Sequence, residues 1–158
     1  MTINILFICL GNICRSPAAE GIFKKLVDQS DLSHRIQVDS CGTAAFNIGK
    51  PPDPRSVAAA ARAGYDISQL IARQINDDDY HNYHYLVAMD RMNLSNVKAW
   101  APKNYQGEIA LFMSYSQNNG DRQVADPYYD DSQFDKVIKT LEVASACLLN
   151  HLRDKHKL

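Results

Sequence analysis

Short apolar runs recur along the chain and predict its strands. The first run, residues 3–9, is bounded by Gly11 and has the continuous apolar character of a strand buried in a parallel sheet. An alternating segment and two further apolar runs predict three more strands, at residues 35–40, 85–89 and 109–113. The pattern therefore predicts a sheet of four strands.

Segments with helical periodicity lie between and after these strands. We predict helices from an N-cap at Ser16 to about Asp28, from a cap at Asp53 to Gly64, and from Asp131 onward. Pro17 and Pro54 stand at the expected first helical positions. Because strands alternate with helices, we predict an α/β fold: one three-layer domain over residues 1–158, with a four-stranded parallel sheet flanked by helices on both faces.

The composition limits the functions that the chain can have. Hydrophobic residues make up 46% and charged residues 22% of the chain, which is typical of a globular protein. The net charge of -1 provides no overall attraction to nucleic acid or to an anionic membrane. No apolar stretch is long enough to insert in a membrane, and no secretory signal precedes the first strand. We therefore expect a cytoplasmic protein that binds no nucleic acid and keeps its four cysteines as thiols.

The stretch CLGNICRS, residues 9–16, lies where the first predicted strand ends and the first helix begins. Ligands of open α/β sheets bind at this end of the strands. A loop here points backbone N–H groups inward and the helix adds the positive end of its dipole, an arrangement suited to a tetrahedral dianion. Gly11 allows the turn. The predicted phosphate-binding loop consists of Leu10, Gly11, Asn12, Ile13, Cys14 and Arg15.

Cys9 and Arg15 are the candidate catalytic residues at this loop. The positive field that holds a phosphate also favours a cysteine thiolate, which is a nucleophile without a neighbouring base. Arg15 follows six residues later, where its planar guanidinium can hold two phosphate oxygens and stabilise charge during phosphoryl transfer. The alternative is a buried core cysteine followed by an unrelated surface arginine.

The string CLGNICRSP, residues 9–17, resembles the low-molecular-weight protein tyrosine phosphatases. Its Cys-x5-Arg-Ser spacing is the signature of cysteine phosphatases, and a nine-residue match at a strand–loop–helix junction is far more specific than that spacing alone. The resemblance covers essentially the whole chain. It implies hydrolysis of phosphotyrosine through a phosphocysteine on Cys9, with phosphotyrosine-containing proteins or peptides as substrates, inorganic phosphate as product, and no cofactor or metal.

The resemblance also assigns the general acid and the walls of the substrate site. The string DPYY at residues 126–129 matches the family's general-acid motif, so Asp126 is the expected acid and, once deprotonated, the expected base that activates water. Tyr128 and Tyr129 would form one wall for an aromatic ring. The family's opposite wall corresponds to Phe46-Asn47 here, where Phe46 replaces a frequent tryptophan. Ile13 provides an apolar slot for a phenyl ring.

Asn12, Ser16 and Ser40 are expected to support the loop. Asn12 tolerates left-handed backbone angles, and Ser40 matches a family serine that binds the loop asparagine. Ser16 is expected to donate a hydrogen bond to the Cys9 thiolate, with a plain N-cap as the alternative. Leu70 stands where the family usually carries a histidine, so a less rigid support of Asn12 is expected.

The second cysteine of the loop, Cys14, lies five residues after Cys9. In the family such a cysteine can form a reversible disulfide with the nucleophile and protect it from irreversible oxidation. The alternative is a small buried residue without chemistry. Cys41 and Cys147 are interpreted as structural.

Other polar features carry no predicted chemistry. His81 and His84 have no cysteine or acidic partner at ligand spacing, so no metal site is predicted. The acidic run at residues 77–79 is interpreted as a solvated helix start. The DPR string at residues 53–55 continues the family match and is interpreted as helix capping.

Three other functions share parts of this pattern. An arsenate reductase would need further cysteines near the third strand, and residues 75–94 contain none. A protein-arginine phosphatase tends to carry threonine where Ile13 stands. A phosphopeptide-binding module would keep Arg15 but could dispense with Cys9 and Asp126. The pattern favours the tyrosine phosphatase over all three.

Overall fold

A computed structural model describes residues 1–116 and 122–158 of the chain. Its sheet contains four parallel strands in the order β2-β1-β3-β4. The strands are β1 (Ile3–Cys9), β2 (Ile36–Gly42), β3 (Tyr85–Ala88) and β4 (Glu108–Leu111). Strand β1 is flanked by neighbours on both sides and is almost entirely buried, which explains its continuous apolar run. The predicted four-stranded parallel sheet is confirmed.

Helices cover both faces of this sheet. They are α1 (Arg15–Gln29), α2 (Pro54–Arg62), α3 (Asp79–Asn82), α4 (Arg91–Trp100) and α5 (Phe134–His156). Successive side chains of β1 point to opposite faces. Phe7 packs in the cluster that contains α1 and α5, whereas Ile8 packs in the cluster that contains Val97 of α4. The predicted three-layer α/β architecture is confirmed, and no helix of the described residues has the length and apolar character needed to cross a membrane.

Phe7 anchors the strand that leads into the 9–15 loop. Its buried ring lies 5.6 Å from the ring of Phe23 and 4.9 Å from that of Phe112. Cys9 follows two residues later in the same core cluster. Truncation of such a phenylalanine to alanine costs about 3–5 kcal/mol. The base of the loop is therefore fixed by the main core.

Helix α4 was not predicted from the sequence. Only Asn93 and Val97 of its ten residues are buried, so the helix has almost no apolar stripe to detect. Its start is instead specified by a capping box, in which Asp90 accepts from the Asn93 N–H and the Asn93 side chain accepts from the Asp90 N–H. The strand-to-strand connection from β3 to β4 thus contains a helix, as a parallel crossover requires.

Several predicted boundaries were wrong, and strand β2 extends to Gly42 rather than ending at residue 40. Helix α1 begins at Arg15 without a side-chain cap, because the Ser16 hydroxyl points into the protein rather than at the helix terminus. The last helix is preceded by a 3-10 turn, Asp131–Gln133, capped by Asp130. Strand β4 ends before the predicted residue 113, because the chain enters a second 3-10 turn at Phe112–Tyr115.

Candidate active site

The 9–15 loop joins the carboxyl end of β1 to the first turn of α1. Asn12 adopts a left-handed backbone conformation, with φ of 56°, which asparagine tolerates better than most residues. Gly42, at the end of β2, packs directly against this turn, since a Cβ there would lie 2.7 Å from the Leu10 carbonyl oxygen. Asn12 is thus the left-handed residue of the turn, in line with the tolerance expected of asparagine, whereas Gly11, which was also expected to allow the turn, has no positive φ.

Cys9 lies at the base of the loop with only 2% of its surface exposed. Its Sγ accepts a hydrogen bond from the Asn12 N–H at 3.3 Å and lies 3.0 Å from the Ser16 Oγ. The single Ser16 hydroxyl proton has a second acceptor, the Cys41 carbonyl oxygen at 3.2 Å. An anionic sulfur is the stronger acceptor of the two. The site can therefore present two donors to a thiolate.

Arg15 is almost fully buried and is held from three sides. Its Nη1 donates to Asp90 Oδ2 at 2.7 Å and to the Val124 carbonyl oxygen at 3.0 Å. Its Nη2 lies 3.6 Å from Asp126 Oδ2. Burial lowers the pKa of the guanidinium, but Cys9 and the two carboxylates more than offset this, so the pKa is raised overall. The cation is thus fixed in charge and in orientation.

Asp90 is a site residue that the sequence reasoning missed. It follows the carboxyl end of β3, next to β1 in the sheet, and this places it beside the phosphate loop. The available signal was its spacing to Asn93, a capping box directly after a buried strand.

Asn12, Ser16 and Ser40 are brought together as predicted. The Asn12 Nδ2 donates to Ser16 Oγ at 2.8 Å and to Ser40 Oγ at 3.0 Å. Its Oδ1 accepts from the Arg73 N–H at 3.0 Å, and Ser40 in turn donates to Glu20 Oε1 at 2.7 Å. All the hydrogen-bonding atoms of the Asn12 amide are therefore engaged, which fixes the left-handed turn.

Arg73 fixes the outer edge of this network. Its guanidinium binds Asp79 through two nitrogens at 3.0 Å and also contacts Asp39 Oδ2. Asp79 is only 3% exposed. The interpretation of residues 77–79 as a solvated helix start is therefore wrong for Asp79, because its carboxylate turns inward to meet Arg73.

Glu20 occupies the interior end of the network. It is 5% exposed, and this burial raises its pKa, although hydrogen bonds from Ser40 and Lys24 act in the opposite direction. Leu70, at the position of the family histidine, packs against the main core. The Ser40 hydroxyl donates to the buried Glu20 carboxyl group, and Leu70 makes an apolar contact with the core.

The loop opens into a cavity of about 220 Å³. Every predicted loop and substrate residue except Asn12 lines it, together with Cys9 and Asp126: Leu10, Gly11, Ile13, Cys14, Arg15, Phe46, Asn47, Tyr128 and Tyr129. Phe46 and Tyr129 are exposed at its rim. Gly11 leaves room for the Asn47 side chain, which would come within 2.6 Å of a Cβ at that position. The cavity thus has a polar floor and aromatic edges.

Asp126 stands above the floor of the cavity. The Tyr128 N–H donates to its Oδ1 at 3.1 Å, and its Oδ2 faces Arg15. The predicted cap of α2 is present, since Asp53 accepts from the Arg55 N–H. The Arg55 side chain does more than the capping interpretation allowed, because it also reaches the carbonyl oxygen of Tyr128.

Cys14 lies beside Cys9 in the wall of the cavity. Its side chain is buried, and burial, followed by the charges of Asp53 and Cys9, raises its pKa to about 12. All four cysteines are free thiols in this structure. Cys14 is therefore a protonated thiol in the same cavity as the Cys9 sulfur.

A larger cavity, of about 620 Å³, lies at the opposite end of β3 and β4 and shares no residue with the phosphate loop. Size alone therefore does not identify the site, whereas the convergence of a buried thiol and a buried guanidinium does. Over residues 1–116 and 122–158, no group of three or more histidine, cysteine or acidic side chains is arranged to hold a metal ion.

Comparisons with known proteins agree with this geometry. The family model described as low molecular weight phosphotyrosine protein phosphatase matches residues 4–158. The human low molecular weight phosphotyrosine protein phosphatase is 41% identical over 139 residues, covering 86% of this chain and 87% of its own. A crystal structure of the Entamoeba histolytica protein tyrosine phosphatase superposes with a TM-score of 0.92 and 33% identity, over 99% of this chain and 100% of that one. A crystal structure of a Drosophila arginine phosphatase superposes with a TM-score of 0.88 and 29% identity, over 94% of this chain and 97% of that one.

The fold and the phosphate loop thus define a phosphatase built on a parallel α/β sheet, and its relatives are protein tyrosine phosphatases, which are hydrolases. Within that class the chain belongs to the low molecular weight protein tyrosine phosphatase family.

Proposed function

We propose that this enzyme hydrolyses phosphotyrosine in proteins and peptides in two steps, through a phosphocysteine on Cys9. One observation carries the proposal: the Cys9 sulfur, the Arg15 guanidinium and the Asp126 carboxylate all face one cavity of about 220 Å³. A nucleophile, a phosphate clamp and an acid are what a metal-free phosphoryl transfer requires.

In the first step the phosphoryl group of the substrate rests on the inward N–H groups of the loop, with Arg15 on two of its oxygens. The Cys9 thiolate attacks phosphorus opposite the tyrosine oxygen, so a P–S bond forms as the P–O bond breaks. Asp126, as a carboxylic acid, passes its proton to the departing phenolate. Tyrosine leaves, and the phosphoryl group stays on sulfur.

In the second step the Asp126 carboxylate takes a proton from a water molecule that attacks phosphorus. The P–S bond breaks and inorganic phosphate leaves. The electron pair returns to Cys9, where the N–H of Asn12 and the hydroxyl of Ser16, at 3.3 Å and 3.0 Å, stabilise the thiolate. Asn12 and Ser40 hold that hydroxyl in place through the hydrogen bonds described above.

The substrate ring fits between the aromatic edges of the cavity. Phe46, Tyr128 and Tyr129 line this cavity together with Ile13 and Asn47, and we propose that Phe46 faces one side of the ring and the two tyrosines the other. Rings at such a rim gain apolar burial when an aromatic substrate covers them. The apolar Ile13 favours a phenyl ring over the charged guanidinium of phosphoarginine, the substrate class named for the Drosophila neighbour.

Cys14 is proposed to protect the nucleophile. When an oxidant converts Cys9 to its sulfenic acid, attack by the Cys14 sulfur forms a disulfide and releases water. A thiol reductant then restores both cysteines. The four free cysteines fit a reducing compartment, and we place the enzyme in the cytoplasm as one domain over residues 1–158 that needs no metal, cofactor or nucleic acid.

The test is hydrolysis of p-nitrophenyl phosphate and of a phosphotyrosine peptide in reductant without metal. Cys9→Ser should abolish turnover, and Asp126→Asn should lower kcat/KM about 100-fold or more. Cys147→Ser, which changes a cysteine outside the cavity, should behave like wild type. Phosphoarginine tested beside phosphotyrosine decides the substrate class. A folded, reduced wild type that binds phosphotyrosine without turnover, or Cys9→Ser with full activity, would overturn the proposal.

A further inference from the structure

Arg55 is fixed to the start of α2 by an unusually complete set of contacts. Its backbone N–H donates to Asp53 Oδ1 at 2.8 Å. Its side chain binds the same carboxylate with two nitrogens, at 3.0 Å to Oδ1 and 2.8 Å to Oδ2. The hydrogen bonds from Arg55 lower the pKa of Asp53. The guanidinium is therefore held as one half of a bidentate ion pair whose other half is the helix cap.

From this position Arg55 reaches across to the loop that carries Asp126. Its Nη1 donates to the Tyr128 carbonyl oxygen at 2.9 Å and to Asp131 Oδ1 at 2.5 Å. The guanidinium carbon lies 5.2 Å from the centre of the Tyr128 ring and 4.6 Å from that of Phe134. One side chain thus joins α2 to both ends of the 128–134 segment.

Asp126 itself has few direct restraints. Its side chain is 38% exposed, and its 3.6 Å separation from the Arg15 Nη2 is too long for a good hydrogen bond. Its Oδ1 accepts from the N–H of Tyr128, the residue whose carbonyl oxygen Arg55 holds. The orientation of the carboxyl group therefore depends on the position of Tyr128.

We propose that Arg55 is a positioning residue for the general acid, and that it acts by holding Tyr128 so that Asp126 points into the cavity. This proposal rests on the acid role proposed above for Asp126. Arg55 does not line the cavity, so it has no contact with the phosphoryl group to lose. Arg55 reaches the cavity through the 128–131 segment and through Asp53, whose N–H donates to the Ile13 carbonyl oxygen at 2.8 Å. The inhibition constant of inorganic phosphate distinguishes the two paths, because only the second reaches the 9–15 loop.

The test is the dependence of kcat/KM on the leaving group in Arg55→Ala. Phenolate needs a proton when it leaves, whereas 2,4-dinitrophenolate does not, so a displaced acid slows phenyl phosphate selectively. We expect phenyl phosphate to lose about 10–100-fold in kcat/KM, and 2,4-dinitrophenyl phosphate to lose less than about threefold. A shifted Tyr128 wall would instead affect all aryl phosphates alike. Inhibition by inorganic phosphate, which reports the loop alone, should be unchanged.

Arg62→Ala is the matched control. Arg62 lies on the same helix and pairs with Asp135 of α5 at 2.8 Å, so it also joins α2 to the C-terminal helix, but it contacts no residue of the 126–131 loop. This variant should keep wild-type kcat/KM with every leaving group. Arg55→Lys keeps the charge without the planar fork, and it should reproduce the selective loss even if Arg55→Ala folds poorly.

The double variant Arg55→Ala with Asp126→Asn separates the two proposals. If Arg55 acts through Asp126, its loss on phenyl phosphate disappears in the Asp126→Asn background. A selective loss that persists in that background, or equal losses with all leaving groups, would overturn the positioning role. If Asp126→Asn alone loses the same factor in kcat/KM with phenyl phosphate and with 2,4-dinitrophenyl phosphate, Asp126 is not the general acid. The role proposed here for Arg55 is then rejected with it.

Discussion

Asp90 Oδ2 lies 2.7 Å from Nη1 of Arg15, and the other oxygen of the same carboxylate caps helix α4. The cap holds the Asp90 side chain, and Asp90 holds the guanidinium. Helix α4, which has almost no apolar face, is in this way connected to the phosphate loop that follows β1, the strand next to β3. Asp90 thus holds the Arg15 guanidinium together with the Val124 carbonyl oxygen, and it is the anionic partner at hydrogen-bond distance.

Asp90→Asn should weaken phosphate binding while leaving the helix intact. Asparagine caps helices as well as aspartate does, but the hydrogen bond to Arg15 loses its anionic partner. Because a charged hydrogen bond contributes about 1.5–3 kcal/mol, kcat/KM should fall roughly 10–100-fold, at about 1.4 kcal/mol per factor of ten. Steady-state kinetics and the inhibition constant of inorganic phosphate measure this. Asp66→Asn, which changes an exposed turn carboxylate bound to Ser68, is the control. An unchanged inhibition constant would contradict the role.

Ser16→Ala should slow the breakdown of the phosphocysteine more than its formation. The Ser16 hydroxyl lies 3.0 Å from the Cys9 sulfur and can stabilise the thiolate that leaves in the second step. We expect kcat to fall about tenfold or more, by the loss of one donor to an anion, and kcat/KM to fall less. Rapid-mixing measurements should then show a clearer burst of p-nitrophenol. Ser40→Ala removes the other acceptor of the Asn12 Nδ2 group without touching sulfur and should give a smaller burst. Equal losses in kcat and kcat/KM would argue against this role of Ser16.

The phosphate loop could be predicted because its residues are contiguous and follow a buried strand. Its chemistry needs one cysteine, one arginine and a turn within residues 9–15, so a short string contains the whole pattern. The parallel sheet was predictable for a related reason, since each strand contains a short apolar or alternating segment of its own. Both features are local in the chain.

Support from distant residues could not be predicted in the same way. Asp90 meets Arg15 across 75 positions and Arg73 meets Asn12 across 61 positions, and no local pattern links such pairs. Their encounter follows from strand order, which brings the carboxyl ends of β2, β1 and β3 together. Asp79 illustrates the same limit, because its burial depends on a partner that lies outside the acidic run.

Cys14→Ser should convert reversible inactivation by peroxide into irreversible inactivation. In wild type the Cys14 sulfur can close a disulfide with oxidised Cys9 before further oxidation to sulfinic acid occurs. We expect wild type to regain most of its activity after dithiothreitol, and Cys14→Ser to regain little. Residual activity and the mass of the peptide containing residue 9 measure the two outcomes. Cys147→Ser is the matched thiol control. If Cys14→Ser regained full activity after dithiothreitol, Cys14 would not be needed to protect Cys9.

The buried Glu20 carboxyl makes stability depend on pH. Burial raises its pKa above the ordinary value of 4.5, with the charge of Asp39 adding to the effect, while the hydrogen bond from Ser40 and the charge of Lys24 reduce it. The folded state therefore keeps a proton at a pH where the unfolded chain has lost it. The stability from this group is fully present below the unfolded pKa and is lost as pH rises through the folded pKa.

Glu20→Gln cannot ionise and should escape that loss. The glutamine carbonyl still accepts from Ser40, so the stability of the variant relative to wild type should rise from about pH 4 and level off above the folded pKa. A difference of one pKa unit between the folded and unfolded states corresponds to about 1.4 kcal/mol. Urea unfolding of both proteins between pH 4 and pH 8 measures the difference. Lys24→Gln removes the cation that lies 3.4 Å from Glu20. This variant should lose more stability than wild type as the pH rises. A stability difference between Glu20→Gln and wild type that stays constant with pH would mean that Glu20 is ionised alike in the folded and unfolded states.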